Sequence, residues 1–407
     1  MVDVLFLGPG YPAEMPHFVR GLAEGGARVI GVGDQPLDAV PWMARQAMAH
    51  YVQVESWADE DAVMRTVHDA LRGRNVDLVE TLWEPTVVVA ARLRESIGAP
   101  GLGVRQALTF RDKGLMKDAL AHAGIRLPYA FRATTADAVR QAAARVGYPL
   151  IVKPIAGAGS LDTYRVDDPG ELERVMPWLA HIDEVSVEEF VDGEEFTYDT
   201  ICAGGRIAHF NICEYRPRPL VGKQVEWISQ QVIAHRDVDA PGLAGGRAMG
   251  EAVIAAMGVT SGFTHMEWYR TWGGEVVFGE IAARAPGGRL VDLMNYVSDI
   301  DAFRGWAEAV CYGSFSQDTT RRYNVAQVIK RAQGEGRISH VEGMEHLLAI
   351  MGEHIVNVDL LAVGQQRRDW KQVVLSDGLV VARHPDLHAV YAMADRIGTD
   401  LQMYASW

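Results

Sequence analysis

Apolar positions along the chain change rhythm three times. Over the first hundred residues, apolar runs at 2–7, 28–32, 51–54 and 76–81 alternate with helical patterns. The helical stretches fall at about 59–72 and 85–97, and through Phe18, Val19, Leu22 and Ala23 after the Gly8-Pro9-Gly10 turn. This βαβα order predicts a parallel, doubly wound sheet, closed by Ala99-Pro100-Gly101-Leu102-Gly103. A helix over about 111–123 then leads into a stretch dominated by strand patterns, at 148–154, 185–191, 195–202 and 206–215. After a helix at about 242–257, the runs 262–271 and 275–283 flank Trp272-Gly273-Gly274 and read as a hairpin. From about residue 321 the pattern shifts again, with strands near 325–331, 355–361, 372–375, 379–384 and 401–404 and a helix near 387–397. The expected organisation is an α/β unit over 1–110, a central α+β unit over 111–320 and a small terminal α+β unit over 321–407.

Composition narrows the function without naming it. Hydrophobic residues at 48% and charged residues at 23% suit a chain with a large packed core. Lys and Arg number 39 against 53 Asp and Glu, a net charge of −14, which opposes sequence-independent binding to nucleic acid or anionic membranes. Any phosphate must therefore be gripped locally. Cys202, Cys213 and Cys311 are too few and too scattered for a disulfide framework or thiolate metal site, and no run approaches ~18 apolar residues, so a cytoplasmic location is expected.

Charges that interrupt apolar strands carry the chemistry. Lys153 falls inside Tyr148-Pro149-Leu150-Ile151-Val152-Lys153-Pro154, where a buried ammonium needs an anion, and Gly157, Gly159 and Ser160 follow as a turn able to aim N–H groups at phosphate. The bland alternative is a snorkelling lysine before an ordinary turn. Lys113 can supply a second cation, or be a surface lysine. Glu267 and Glu280 each interrupt an apolar strand of the hairpin. Cross-strand pairing would set them side by side, and like charges so close call for a cation, for which hard oxygen ligands suit magnesium. Strand alternation places His265 with Glu267, and Ala282 and Arg284 with Glu280. The alternative is two glutamates each paired with a base. Gly8-Pro9-Gly10 is half of a dinucleotide fingerprint or a tight βα connection, since Ala13 stands where a third glycine belongs.

In order, Asp112-Lys113, Val152-Lys153-Pro154 with its glycine turn, Glu188 to Phe196, and Glu267 with Glu280 and Arg284 resemble the motifs of the ATP-grasp superfamily, most closely its amino-acid ligase branch. The resemblance implies an ATP-grasp fold: a Rossmann-like N-terminal domain, a central region with a lid at about 126–190, and a C-terminal subdomain completing the grasp. It implies that Lys113 and Lys153 hold ATP phosphates under the Gly157, Gly159 and Ser160 turn. Glu188, Glu189 and Val191 would belong to the adenine hinge, and Glu195 would bind the ribose. Glu267 and Glu280 would carry Mg2+, or Mn2+ in its place. Arg284, His265 and Lys153 would be catalytic, with Arg284 at the transferred phosphoryl group and His265 toward the acyl substrate. Ala282 departs from the asparagine common in the superfamily, which removes one metal ligand.

The expected activity is ADP-forming ligation of a small carboxylate to an amine through an acyl phosphate, by an enzyme whose default assembly is a homodimer. Arg216, Arg218 and Arg289 are candidates for the substrate carboxylate, although Arg216 and Arg218 read equally as a solvated loop; Trp227, Trp268 and Tyr269 either line the acceptor pocket or pack. The competing readings are a nicotinamide-dependent oxidoreductase using Gly8-Pro9-Gly10, and a non-catalytic ATP-binding regulator.

Overall fold

The computed structural model describes residues 1–155 and 162–407. Its first strand, Asp3–Leu7, is buried along its whole length, as an interior strand of a sheet covered on both sides must be. Val4 and Phe6 join a core with Phe18, Leu22 and Trp306. Leu5 and Leu7 point the other way, into a core with Val63, Val67, Val89 and Leu93. The sheet has four strands in the order Met48–Gln53, Arg28–Gly33, Asp3–Leu7, Leu78–Thr81, all parallel.

The helix expected over 111–123 is Lys113–Ala121, and a further helix, Val104–Arg111, precedes it; between them Asp112 adopts extended backbone and caps Lys113–Ala121 through Gly114 and Leu115 N–H. The cap residue also accepts from Arg132, which reaches on to Glu184. Arg132 lies in a separate antiparallel sheet, in the order Ala130–Ala133, Val185–Glu189, Leu150–Pro154, Tyr164–Val166. Two helices that strand-dominated reading overlooked, Ala136–Val146 and Pro169–Val175, cover it through Val139, Ala142, Leu172 and Val175.

Besides a three-stranded sheet in the order Gln333–Gly334, Gln402–Ser406, Arg337–Glu342, the rest of the chain forms an eight-stranded antiparallel sheet. Its order is Val276–Ala282, Gly262–Thr271, Gly193–Ala203, Arg206–Arg216, Gln231–Ala234, Asn324–Lys330, Gly378–His384, Ile355–Leu360. The last three come from the terminal part of the chain, so they continue the central sheet. The expected strand at 372–375 is instead a turn: Asp369 accepts backbone bonds from Gln372 and Val373, winding the chain before Gly378. Two further helices, Leu290–Ser298 and Ala302–Tyr312, were not expected either. The second packs on Met15–Glu24, where a Cβ on Gly21 would stand 2.6 Å from the Phe303 carbonyl oxygen. That contact fastens the parallel sheet to the large one. Among the described residues no helix is long and apolar enough to cross a membrane.

Helix Pro241–Met257 lies on the large sheet through glycines: a Cβ on Gly246 would fall 2.2 Å from the Trp268 ring, and one on Gly250 2.5 Å from Tyr198. Gly398, in helix Leu387–Asp400, has no neighbour nearer than 3.6 Å. Alanine normally stabilises a helix interior over glycine by up to about 1 kcal/mol. Urea unfolding is therefore expected to show Gly398→Ala neutral or stabilised within that range, and Gly246→Ala destabilised by about 1–3 kcal/mol through overpacking.

Candidate functional site

Two carboxylates face each other across one hairpin. Glu267 is the direct register partner of Glu280, and His265 that of Ala282. Immediately after Glu267 the register slips, with Trp268 opposite Phe278, so Gly279 is the extra residue of a bulge. A Cβ on Gly279 would stand 2.8 Å from the Glu267 carbonyl oxygen, which is why glycine suits this position. On the neighbouring strand, Asp199 pairs His265, Thr197 pairs Glu267 and Glu195 pairs Tyr269. Period-2 alternation gathers these side chains on one face.

Cations approach from the other side. The backbone N–H of Lys113 donates to the Ile155 carbonyl, bringing the helix start beside the end of the Lys153 strand. Lys113 Nζ lies 3.3 Å from Glu280 Oε1. Lys153 Nζ meets Glu188 Oε2 at 2.9 Å, and Lys117 Nζ meets Glu188 Oε1 at 2.8 Å. Burial alone would raise the Glu188 carboxyl, but Lys153 and Lys117 hold it down at about 2. Burial would lower Lys153, yet Glu188 and Glu280 keep it above the usual lysine range. The anion that Lys153 demands thus exists within the chain. Lys117, one helical turn beyond Lys113, was missed, because on sequence it belongs to a polar helix face.

The hairpin histidine is wired at both ring nitrogens. His265 Nδ1–H donates to Asp199 Oδ1 at 2.5 Å, and Nε2 lies 3.6 Å from Glu267 Oε1. Asp199 is wholly buried and also accepts from Thr197 Oγ1 at 2.7 Å. Burial would lower the imidazole, but the Asp199 carboxylate and Glu267 raise it to about 9, so at neutral pH it is an imidazolium. Glu267 is held below the ordinary range, because His265 outweighs its burial.

Arg284 enters under a clamp that the sequence did not announce. Its Nε donates to Glu84 Oε2 at 2.7 Å, while Arg111 Nη1 donates to Glu84 Oε1 at 2.5 Å. Burial would raise the Glu84 carboxyl, and the Arg284 and Arg111 guanidiniums bring it below its usual value. Glu84 follows the last strand of the parallel sheet, so that unit fixes an arginine of the hairpin.

Lys113, Lys153, Glu188, Glu189, Val191, Glu195, Arg218, His265, Glu267, Tyr269, Glu280 and Arg284 all line one cavity. Its far end differs from expectation. Arg218, a candidate for a substrate carboxylate, donates to Glu195 Oε2 at 3.0 Å and to the Val191 carbonyl at 2.7 Å, packed against the Phe190 and Tyr269 rings. It therefore shares the end assigned to the nucleotide. Burial and the nearby Glu267 push Glu195 up to about 7 despite Arg218. The Glu189 carboxylate is occupied by Arg126 at 2.9 and 3.1 Å.

Other candidates stand elsewhere. Arg216 faces a separate groove, bonded to Gln231 and packed on Tyr391. Arg289 pairs with Asp292 and Asp359 at 2.7 and 2.8 Å, pinning the start of helix Leu290–Ser298. Trp268 is fully buried against Phe196, and Trp227 is exposed. Of the three aromatic candidates only Tyr269 lines the cavity. Gly157, Gly159 and Ser160 lie outside the described residues. The Gly8-Pro9-Gly10 turn is a βα connection beside Tyr11, Trp57 and Trp83, outside the lysine-lined cavity.

Residues 110–218 match the ATP-grasp domain model. The chain is 27% identical over 253 residues to an L-arginine-specific L-amino acid ligase of Bacillus subtilis, covering 60% of this chain and 60% of that one. It is also 27% identical over 292 residues to the alanine–anticapsin ligase of Bacillus subtilis strain 168, covering 63% and 60%. The chain thus spans about three fifths of the length of these curated relatives. In structure it resembles an L-amino acid ligase from Bacillus licheniformis, with a TM-score of 0.80, 19% identity and coverage of 100% and 99%. An N5-carboxyaminoimidazole ribonucleotide synthetase from Thermotoga maritima superposes with a TM-score of 0.73 at 18% identity, covering 100% of both chains. The fold is the ATP-grasp fold, and L-amino acid ligases are among the proteins that the chain resembles.

The His265 environment is open to direct titration. In protein carrying 13Cε1-histidine, the His265 resonance is expected to titrate near 9. Asp199→Asn is expected to lower that midpoint by roughly 1–3 pH units, since the largest raising charge is gone. An unmoved midpoint would count against the Asp199 pairing.

Proposed function

We propose that this ATP-grasp chain is an ADP-forming carboxylate–amine ligase acting on amino-acid-like substrates. The observation that carries the reading is a single cavity in which two register-paired glutamates face Lys113, Lys153 and Arg284. Such a wall suits a polyphosphate whose terminal group is to be moved.

The balance of charge supports a divalent ion in the same place. With the His265 imidazolium, five cationic side chains line the cavity against five glutamates, so the lining by itself leaves the charge of a triphosphate largely unbalanced. Glu267 and Glu280 offer the hard oxygen donors that suit Mg2+, or Mn2+ in its place. When bound, the ion would offset negative charge on the transferred phosphoryl group.

The chain's own groups divide the remaining work. Lys113 and Lys153 bind and orient the phosphates, with Glu188 holding Lys153 in place. The segment from Glu188 to Val191 suits the adenine, and Glu195 the ribose hydroxyls. A substrate carboxylate oxygen attacks the γ-phosphorus and ADP leaves, giving an acyl phosphate. An amine then attacks the acyl carbon and inorganic phosphate departs. Arg284, fixed by Glu84, stands where it can meet the developing oxyanion without reorganising. The His265 imidazolium, anchored by Asp199, directs Glu267 and presents positive charge toward the acyl group. An oxidoreductase using Gly8-Pro9-Gly10 leaves all of these groups unemployed.

Amino acids and small acids offered singly with ATP and hydroxylamine are expected to release ADP and form hydroxamates. AMP and pyrophosphate in their place would overturn the acyl-phosphate route. Glu280→Gln is expected to lower kcat for ADP release at least about a hundredfold while circular dichroism stays unchanged. Near-normal turnover in that variant would remove the metal assignment.

A further inference from the structure

A second cavity adjoins the first, and His265, Glu267 and Arg284 line both. Gln327 lies on its wall, on strand Asn324–Lys330 opposite Val232. Its side chain is 1% exposed. Nε2–H donates to the Gly288 carbonyl at 2.9 Å, which fixes the amide orientation, because a carbonyl oxygen can only accept. Oε1 is then left with no hydrogen-bond partner among the described residues. A buried acceptor of this kind costs about 1–3 kcal/mol unless a donor reaches it.

Beyond Gln327, strand alternation puts Ile329 and Arg331 on the same side, and both line the cavity. Arg331 is anchored by neutral groups: the Gly222 and Val225 carbonyls at 2.8 and 3.0 Å, and Ser376 Oγ at 3.1 Å. Its guanidinium stacks on Trp370, with Lys371 over the same ring, and neither cation has a carboxylate within ion-pair distance among the described residues. The cavity therefore carries an unanswered acceptor and, beyond Ile329 and Val374, two cations with no direct ion pair among the described residues, Arg331 feeling Glu226 and Asp377 only at longer range. The four residue steps from Gln327 to Arg331 span about 13 Å, far more than the few ångströms between the amine and carboxylate of an α-amino acid.

On the ligase reading above, we propose that this cavity is the acceptor subsite, and that it takes an amine whose carboxylate lies well beyond the α-position, as in a short peptide. Gln327 Oε1 accepts one N–H of the attacking amine. As a neutral acceptor it orients the lone pair without holding the amine in its charged form, as a carboxylate would. Arg331 and Lys371 take the distant carboxylate, and Ile329 and Val374 face the backbone between.

Glycine and triglycine serve as probes, each offered as acceptor with ATP and the acid that gives most hydroxamate. The expected kcat/KM for triglycine is at least tenfold that for glycine. Gln327→Met, of similar volume, is expected to lower kcat/KM for triglycine at least tenfold. Lys371→Glu is expected to raise the KM for triglycine at least tenfold; this side chain is exposed, so its substitution leaves folding out of the question. Equal kcat/KM for the two probes, or an unchanged triglycine KM in Lys371→Glu, overturns the proposal. Failure of the wild type to form any hydroxamate defeats the ligase reading alone. The subsite is then judged by quenching of Trp370 fluorescence, taken as the difference from Trp370→Phe: saturation by triglycine that Lys371→Glu weakens tenfold supports it, and no saturation refutes it.

Discussion

Everything in the cavity is arranged around two like charges set opposite each other on adjacent strands. At a cross-strand spacing of about 5 Å and an effective dielectric of ~20, their repulsion is on the order of 3 kcal/mol. The fold offsets it with Lys113 beside Glu280 and the His265 imidazolium beside Glu267. Those partners sit at 3.3 and 3.6 Å, longer than the 2.9 Å grip of Lys153 on Glu188. The two pairings are loose by comparison, so the glutamates are steadied without being fully satisfied. On the proposed reading, carboxylates steadied in this way suit a divalent ion.

A hierarchy of supports stands behind those charges. Glu188 is pinned between two lysines, Asp199 holds a histidine, and Glu84 holds two arginines. Each support is a buried or half-buried carboxylate whose partner charge is also buried or half-buried. Removing one member of such a pair leaves an uncompensated ion, so these supports confer rigidity more than they confer stability. They also keep the working cations in one orientation before any ligand arrives.

The parts legible in the sequence were those in which a charge breaks a strong period. Glu267 and Glu280 each interrupt an apolar strand, so each is marked by local rules; the register set by the turn would put Gly279 opposite Glu267, and the bulge at Gly279 brings Glu280 there instead. Lys153 is the same kind of signal, although its immediate partner, Glu188, lies on a strand paired in space and not adjacent in sequence. Lys117 and Glu84 carried no such mark. One sits on a helix face that looks solvated, the other in a loop after a strand, and only long-range packing makes either of them important. Helices Ala136–Val146 and Pro169–Val175 were overlooked for a related reason: each buries a narrow apolar stripe on a small sheet, and their alanine and acidic content reads as loop between strands. Arg218 and Arg289 show the converse, since residue type suggested substrate contact while their nearest neighbours are the chain's own carboxylates.

The Glu84 clamp has a bearing on modular recombination. Arg111 follows the first unit in the chain, Arg284 lies on the far side of the molecule's sequence, and both converge on one acid from the parallel sheet. A hybrid that grafts a foreign N-terminal unit at the linker near residue 100 would inherit both guanidiniums and discard their shared counter-ion. The two arginines would then repel one another at the wall of the lysine-lined cavity. Swapping modules within this architecture therefore has to carry that single carboxylate across the junction, whatever else is exchanged.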